Sequence, residues 1–217
     1  MVNWDEVDCV FLDMDGSLID LHFDDVLWNE LLPRRVADAQ KISIEAANEK
    51  LYGDRSPGDL LWYSLPHWTE LTGVDMVGLH EELAHLLAFR PGAEDFLQTM
   101  QSCETTRMVI LTNAHTQSYA VKDTVLALSD RVDAWYSSAQ LGLPKENPDF
   151  WKRLSKIEPY DPTRTMFVDD TTSVLESAQF AGIKHLFTIA QPDMSRPSRK
   201  NLRFPAIVNF MDLINNV

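Results

Sequence analysis

The residues best suited to chemistry are carboxylates that follow the first apolar run of the chain. Asp13 and Asp15 lie in the segment FLDMDGSLID, directly after residues 7–12. A carboxylate can attack an electrophile or transfer a proton in a reaction. Gly16 comes next and permits the tight turn that such a segment needs at the end of a strand. The spacing therefore predicts a catalytic site where the first strand ends.

More polar residues stand at or after the ends of later apolar runs. They are Thr112, Asn113, Lys145, Asp169 and Asp170. Ligand sites of open α/β sheets form at the carboxyl ends of the strands, so these side chains are expected to meet at one edge. The helix predicted to begin near Thr116 adds unpaired backbone N–H groups that favour an anion.

The elements that must position these residues are five short apolar runs, typical of buried strands in a parallel sheet. They span residues 7–12, 108–111, 134–137, 165–168 and 185–189. Three of the runs are followed by apolar residues at helical spacing. The predicted buried faces are Val121, Val125 and Leu128; Phe150, Leu154 and Ile157; and Leu175, Ala178 and Ala181. Alternating strands and helices predict an α/β fold with a doubly wound parallel sheet.

The stretch from residue 20 to residue 90 has no strand pattern and is predicted to be helical. Ser43 is placed to cap a helix, and two apolar faces have helical spacing: Ile44, Ala47 and Leu51; and Met76, Leu79, Leu83 and Leu86. The insert is too long for an ordinary crossover between strands. We therefore expect a Rossmann-like core domain at residues 1–19 and 91–217 and a helical cap domain at residues 20–90, inserted after the first strand.

The composition excludes several classes of protein. The 217 residues include 33 acidic and 19 basic side chains, for a net charge of −14, which opposes electrostatic binding to nucleic acid. The two cysteines, Cys9 and Cys103, form no metal-binding or disulfide pattern. Apolar runs are too short to span a membrane, and the first residues are acidic where a signal peptide would be basic. We expect a cytoplasmic globular protein.

Four ordered motifs resemble those of the haloacid dehalogenase superfamily of phosphotransferases. They are DMDGS from Asp13, LTN from Leu111, a lone Lys145 before the residues NPD, and VDD from Val168. Within that superfamily, the chain is most similar to bacterial purine 5′-nucleotidases that act on GMP and IMP. The segments that carry this similarity are DLHFDD, LLWYSLPHWTELTGVD, LTNAHTQSYAVK and LGLPKENPDFW. Ser17 and Val174 depart from the usual residues, and neither is a reacting group.

The resemblance implies a mechanism and a set of residue roles. Asp13 would attack phosphorus and become an aspartyl phosphate, while Asp15 would act as general acid and then as general base. Mg²⁺ would be held by Asp13, the carbonyl of Asp15 and Asp170, with Asp169 in the outer shell. The phosphoryl oxygens would be bound by Thr112, Asn113 and Lys145. The substrate would be a small phosphomonoester, and residues 20–90 would be the helical cap of one subfamily.

Four aromatic residues of the expected cap are candidates for substrate contact: Trp28, Trp62, Tyr63 and Trp68. Aromatic residues at helical spacing usually belong to a core, whereas a base-binding cap needs a ring for stacking, worth about 1–3 kcal/mol per base. The sequence leaves open which of the four, if any, stacks on a purine.

Three histidines have competing interpretations. His80 and His85 in HEELAH are one residue too far apart for the H-E-x-x-H zinc motif, so both are expected to be ordinary helix residues. His115 follows the LTN motif and is expected either to contact phosphate or to cap the next helix.

Two other functions remain open at this level. A phosphatase for small sugar phosphates or phosphoglycolate would share the same core motifs, because the cap alone selects the substrate. A phosphorylatable signalling or interaction module would also carry acidic residues, a threonine and a lysine on a doubly wound sheet. Such a module needs only about 120 residues and no cap, so the length favours an enzyme.

Overall fold

The computed structural model describes residues 2–53, 59–103 and 105–214. Within these ranges the strands are β1 (Cys9–Leu12), β2 (Arg107–Thr112), β3 (Ala134–Ser137), β4 (Thr165–Asp169), β5 (His185–Ile189) and β6 (Ala206–Ile207). They form one parallel sheet in the order β3-β2-β1-β4-β5-β6. The predicted α/β fold with a doubly wound sheet is confirmed. Strand β6 was not predicted, because two residues are too few to show a periodic pattern.

Across the described residues, five α-helices lie within residues 20–90 and five follow this stretch, the first of them before β2. The first group is α1 (His22–Val26), α2 (Leu32–Gln40), α3 (Ile44–Tyr52), α4 (Leu65–Thr72) and α5 (Met76–Glu82). The second group is α6 (Ala93–Gln101), α7 (Thr116–Leu126), α8 (Ser138–Leu141), α9 (Pro148–Ile157) and α10 (Thr172–Phe180). The helical pattern expected after β1 is therefore present in the described part of residues 20–90.

The sheet is buried on both faces, as its continuous apolar strands require. Val10 and Leu12 of β1 point into one hydrophobic cluster, and Cys9 and Phe11 point into the other. Buried residues of the inserted helices, Trp68 among them, belong to the same cluster as Val10. The hydrophobic core on this face of the sheet therefore continues into the insert.

Helices α1 and α2 are joined by a wider helical turn at Leu27–Leu31, in which the N–H of Leu32 donates to the carbonyl of Leu27. Pro33 follows at the start of α2 and has no N–H, which suits an interruption of regular helical hydrogen bonding. Such wide turns often occur at functional sites. Trp28 lies within this one, and its side chain lines the cavity described below.

The predicted buried face of α7 is wrong. Val125 is 46% exposed, and the residues that α7 buries are Ser118, Tyr119 and Lys122. Leu128 is buried but lies beyond the end of the helix. Apolar spacing gave the wrong face because this helix turns a charged side chain inward, where two carboxylates pair with it.

Two other predicted faces are correct only in part. Ser43 caps α3 by accepting a hydrogen bond from the N–H of Ala46, as expected, but Ile44 in the first turn is 47% exposed. Ile157, the last residue of α9, is 54% exposed, and the residues that α9 buries are Phe150, Trp151 and Leu154. Terminal helical positions project past the surface that the helix covers, so spacing alone overestimates their burial.

Candidate active site

The loop after β1 brings its carboxylates to the carboxyl edge of the sheet. The backbone N–H of Asp13 donates to the carbonyl of Val168 in β4, and Ser17 donates its hydroxyl hydrogen to Asp13 Oδ2 at 2.9 Å. Gly16 has φ of +79°, and a β-carbon there would lie 2.9 Å from Cγ of Asp170. The glycine is thus required twice, for its left-handed backbone and for the close approach of the two segments.

Lys145 is buried and joins three strand ends. Its ammonium group donates to Asp13 Oδ1 at 2.5 Å, to Asp169 Oδ2 at 2.7 Å and to the carbonyl of Leu111 at 3.1 Å. Its backbone N–H donates to Asn113 Oδ1 at 2.9 Å, which fixes the loop that carries it. The lone lysine of the sequence therefore lies at the centre of the candidate site.

Burial controls the electrostatics of these carboxylates. Loss of solvent raises the pKa of Asp13 above its usual range, Lys145 opposes this, and the charge of Asp169 adds to it. Burial likewise raises the pKa of Asp169 and Asp170. Buried like charges that raise one another's pKa are typical of catalytic and metal-binding clusters.

Three of these carboxylates fit a divalent cation. Asp13, Asp169 and Asp170 each offer an oxygen, and the three oxygens lie within 4.8 Å of one another. Oxygen donors are those that Mg²⁺ prefers. Three carboxylates facing one ammonium group, that of Lys145, leave two negative charges in excess, which a divalent ion would neutralise.

Asp169 differs from its neighbour because both of its oxygens already accept hydrogen bonds. Oδ2 accepts from Lys145, and Oδ1 accepts from the backbone N–H of Thr171 at 2.7 Å. Asp170 accepts from the Thr171 hydroxyl through Oδ1, and its carboxylate faces Gly16 through Oδ2. This arrangement favours Asp170 as a direct ligand and Asp169 as a group that orients Lys145.

The side chain of Asp15 has a separate partner. Lys122 donates to Asp15 Oδ1 at 2.6 Å and to Asp24 Oδ2 at 3.0 Å. Lys122 and Asp24 were not predicted as site residues. No signal near α7 points to Lys122, because the apolar spacing predicted the face of Val121 and Val125 to be buried, whereas the helix buries Ser118, Tyr119 and Lys122.

The N-terminus of α7 lies at the same edge as the carboxylates. Thr112 accepts a hydrogen bond from the N–H of Ala114 at 2.9 Å, which shapes the turn into the helix. His115 caps α7 by accepting from the N–H of Gln117, and its ring also lines the cavity. Of the two interpretations of His115, the structure shows the cap.

Glu146 links the insert to the core and was not predicted. Its carboxylate accepts from Asn113 Nδ2 at 2.9 Å and from the hydroxyl of Tyr63 at 3.2 Å. Burial, followed by the charge of Glu146, raises the pKa of Tyr63, so this hydroxyl keeps its proton. Both polar atoms of the Asn113 side chain are therefore hydrogen bonded, Nδ2 to Glu146 and Oδ1 to the backbone N–H of Lys145.

A cavity of about 710 Å³ lies between the strand ends and the inserted helices. Its core side includes Asp13, Asp15, Thr112, Asn113, Lys145 and Asp170, and its insert side includes Trp28, Trp62 and Tyr63. This volume is in the range of small-molecule sites. The structure thus brings most of the predicted residues to one cavity, which is lined by carboxylates from the strand ends and by aromatic rings from the insert.

Trp68 is the aromatic candidate that is not brought to the cavity. Its ring is fully buried, 5.5 Å from Trp28 and 5.7 Å from Trp62 between ring centroids, and Nε1 donates to the Trp62 carbonyl at 2.7 Å. Trp68 therefore supports the two aromatic residues that do line the cavity.

The histidines of HEELAH bond to their own helical segment. His80 is buried, and its Nδ1 pairs with the carbonyl of Met76 at 2.7 Å. Burial lowers the pKa of His80 to about 4, and nearby Lys122 acts in the same direction, so the ring is neutral. His85 pairs with the carbonyl of Glu82.

Comparison with known proteins identifies the class to which this site belongs. A model of the haloacid dehalogenase-like hydrolase family matches residues 7–182. The chain belongs to this family, as its motifs, its parallel sheet and its cluster of aspartates indicated.

The chain is also similar to individual proteins of known name or structure. The GMP/IMP nucleotidase YrfG of Escherichia coli strain K12 is 30% identical over 216 residues, covering 98% of this chain and 96% of that protein. A HAD phosphatase from Thermococcus onnurineus has a TM-score of 0.75 at 18% identity, with 97% of each chain covered. The HAD-hydrolase YfnB from Bacillus subtilis, solved bound to magnesium, has a TM-score of 0.65 at 16% identity, covering 97% of this chain and 98% of that one.

The expected enzyme class, a phosphomonoester hydrolase, is supported by the family match and by the nucleotidase relative. Across the described residues, no helix combines the length and the apolar character needed to cross a bilayer.

Proposed function

We propose that this enzyme is a Mg²⁺-dependent phosphomonoesterase that forms an aspartyl phosphate and prefers purine nucleoside 5′-monophosphates. One observation carries the proposal: a single cavity is lined by carboxylates and a buried lysine at the strand ends and by aromatic rings of the insert. The charged side chains suit a phosphate ester, and the rings suit a purine. The 30% identical relative named GMP/IMP nucleotidase supports the same assignment.

In the first half of the reaction, Asp13 attacks phosphorus and the bond between phosphorus and the leaving oxygen breaks. Asp15 gives its proton to that oxygen, so that an alcohol leaves. In the second half, Asp15 takes a proton from water, whose oxygen attacks phosphorus and releases Asp13 and inorganic phosphate. Burial raises the pKa of Asp15, which suits a residue that must hold a proton before it donates one.

Charge neutralisation supplies most of the rate enhancement. A general acid contributes about 10²–10⁴-fold, far less than phosphomonoester hydrolysis requires. Lys145, Thr112, the backbone N–H of Asn113 and the N-terminal N–H groups of α7 bind the phosphoryl oxygens, whereas the Asn113 side chain is held by Glu146 and the Lys145 backbone. Mg²⁺, when bound, adds positive charge against those oxygens. Asp13, the Asp15 carbonyl and Asp170 would hold this ion, and Asp169 would orient Lys145.

We assign the selection of substrate to a helical cap domain at residues 20–90 over a core at residues 1–19 and 91–217. Three cavity-lining rings, those of Trp28, Trp62 and Tyr63, come from this insert. The insert shares a hydrophobic cluster with the sheet, so the rings have a fixed place relative to the strand ends. Trp62 and Tyr63 precede α4 and are the residues we expect to contact the base.

The first experiment is a panel of phosphomonoesters with and without Mg²⁺. GMP and IMP should exceed ribose 5-phosphate and phosphoglycolate in kcat/KM, and EDTA should abolish turnover. Asp13→Asn should leave less than about one per cent of activity while the protein still unfolds in a cooperative transition. Equal activity on nucleotides and small sugar phosphates would reject the nucleotidase assignment. More than about one per cent of activity in Asp13→Asn would reject the covalent mechanism.

The second experiment tests whether the Trp62 ring, which lines the cavity, contacts the base. Trp62→Ala should reduce the preference for GMP over ribose 5-phosphate by about 5- to 150-fold, the value of one stacking contact of about 1–3 kcal/mol. Leu61→Ala is the matched control, because Leu61 is the neighbouring residue, is exposed and lies outside the cavity lining. The same loss of preference in both variants would show that the ring of Trp62 does not contact the base.

A further inference from the structure

Lys122 is a fully buried cation to which the motifs of the sequence assign no role. Its ammonium group lies 2.6 Å from Asp15 Oδ1 and 3.0 and 3.3 Å from the two oxygens of Asp24. The Phe23 ring centroid lies 4.9 Å from the same nitrogen. Burial of a lysine is unfavourable unless its charge is paired and its protons are donated, and both conditions hold here.

The ion cluster joins three separate parts of the fold. Asp15 is in the loop after β1, Asp24 is in α1 of the insert, and Lys122 is two turns into α7 of the core. The Lys122 side chain is 0% exposed and is not among the described residues that line the cavity, whereas Asp15 and Asp24 both line it. Lys122 therefore does not reach a bound phosphate, and any effect on the reaction passes through a carboxylate.

We propose that Lys122 is a positioning residue that fixes Oδ1 of Asp15 and leaves Oδ2 as the oxygen that transfers the proton. This inference rests on the proposed function, in which Asp15 protonates the leaving oxygen. An ammonium group has hydrogens only to donate, so the oxygen bonded to it is the acceptor. The proton of a neutral Asp15 then sits on Oδ2.

The proton balance follows from this assignment. In the first half of the reaction, the O–H bond at Oδ2 breaks and its proton passes to the leaving alkoxide. In the second half, Oδ2 takes one proton from the attacking water and is ready for another cycle. Asp24 holds Lys122 from the insert, so the orientation of Asp15 depends on α1 as well as on α7.

A comparison of leaving groups tests this role. Ribose 5-phosphate releases a basic alkoxide that needs the proton, whereas p-nitrophenyl phosphate releases a phenolate that is stable without it. In single-turnover experiments with the Mg²⁺-loaded enzyme, Lys122→Met should slow cleavage of ribose 5-phosphate by about 10²–10⁴-fold, the usual contribution of a general acid. Cleavage of p-nitrophenyl phosphate should slow by less than about tenfold.

Two reference variants separate this inference from the function on which it rests. Asp15→Asn should show the same selective loss, and Lys152→Met, at an exposed surface lysine, should show none. If Asp15→Asn slows both substrates equally, the acid role of Asp15 fails and the inference fails with it. If Asp15→Asn is selective while Lys122→Met slows both substrates equally, only the positioning role of Lys122 is overturned.

A milder variant protects the test against loss of folding. Asp24→Asn keeps the bond between Lys122 and Asp15 but removes one charged anchor of the lysine. It should shift the ratio of the two rates in the same direction as Lys122→Met, by about three- to tenfold. A ratio within twofold of the wild type would overturn the proposed link from Asp24 through Lys122 to Asp15.

Discussion

Replacing Lys145 with methionine should destabilise the metal-free enzyme and abolish its activity. The ammonium group of Lys145 pairs with two buried carboxylates, Asp13 and Asp169, and the methionine would leave both without it. Removing one partner from a buried ion pair costs about 3–5 kcal/mol. For a domain of this size, about 2–4 °C of Tm per kcal/mol gives a decrease of about 6–20 °C.

The pH dependence of this effect has a definite sign. Burial raises the pKa of Asp13 to about 7, and Lys145 lowers it, so the variant should raise this pKa further. A carboxyl group whose pKa is higher in the folded than in the unfolded state lowers stability progressively as the pH rises from the unfolded pKa to the folded pKa, and the full cost remains above the folded pKa. The stability deficit of Lys145→Met should therefore increase as the pH rises above about 7.

The assay is thermal unfolding in EDTA at about pH 6 and about pH 8.5, followed by titration with Mg²⁺. Without Lys145 the excess of negative charge rises from two to three, so Mg²⁺ should stabilise the variant at least as much as the wild type. At 100 times the Kd, this stabilisation is about 2.7 kcal/mol. An unchanged Tm in EDTA at the higher pH, or a deficit that grows as the pH falls, would refute the reasoning.

Three further changes have defined outcomes. Gly16→Ala should lower the free energy of unfolding by about 1–3 kcal/mol and the activity by more than tenfold, because φ of +79° and a contact of 2.9 Å with Asp170 both exclude a β-carbon. Unchanged urea unfolding and an unchanged kcat would contradict this. In the native protein a thiol reagent should label exposed Cys103 and spare buried Cys9, whose pKa burial raises to about 12; two labels counted by mass spectrometry would be inconsistent with the structure. Glu158→Gln should cost about 1–2 kcal/mol at neutral pH, because hydrogen bonds from partly exposed Arg107 lower the pKa of this carboxyl. That contribution is present above the unfolded pKa and disappears as the pH falls through the folded pKa, so equal deficits in urea unfolding at neutral and strongly acidic pH would argue against it.

The elements that carry the candidate site could be predicted from the sequence because each has a local signal. The apolar strands β1, β2 and β4 end in polar residues, and the topology of a parallel sheet then brings those ends together. Asp13, Thr112 and Asp170 were identified in this way without knowledge of any contact, whereas Lys145 was identified by its place among the four motifs. Their proximity follows from strand order and not from their distance along the chain.

The parts that could not be predicted depend on contacts between distant segments. Lys122 has no local signal for burial, because its partners Asp15 and Asp24 come about 100 residues earlier, and hydrophobic spacing treats any lysine as exposed. Trp62 and Trp68 are equally aromatic and only six residues apart, yet one lines the cavity and the other supports it. Tertiary packing determines which of the two rings lines the cavity, and this cannot be read from the residue type.

The position of β1 at the centre of the sheet has a consequence for synthesis of the chain. Cys9 of β1 pairs with Arg107 of β2 and with Thr165 of β4, which are translated roughly 100 and 155 residues later. At about 5–20 residues per second, the apolar strand waits about 8–30 s for its second neighbour. During that interval the inserted helices are the first apolar partners that emerge, and in the folded protein they share a hydrophobic cluster with Val10 and Leu12. The insert can therefore cover apolar surface of β1 on the ribosome before the loop after β1 has any strand beside it.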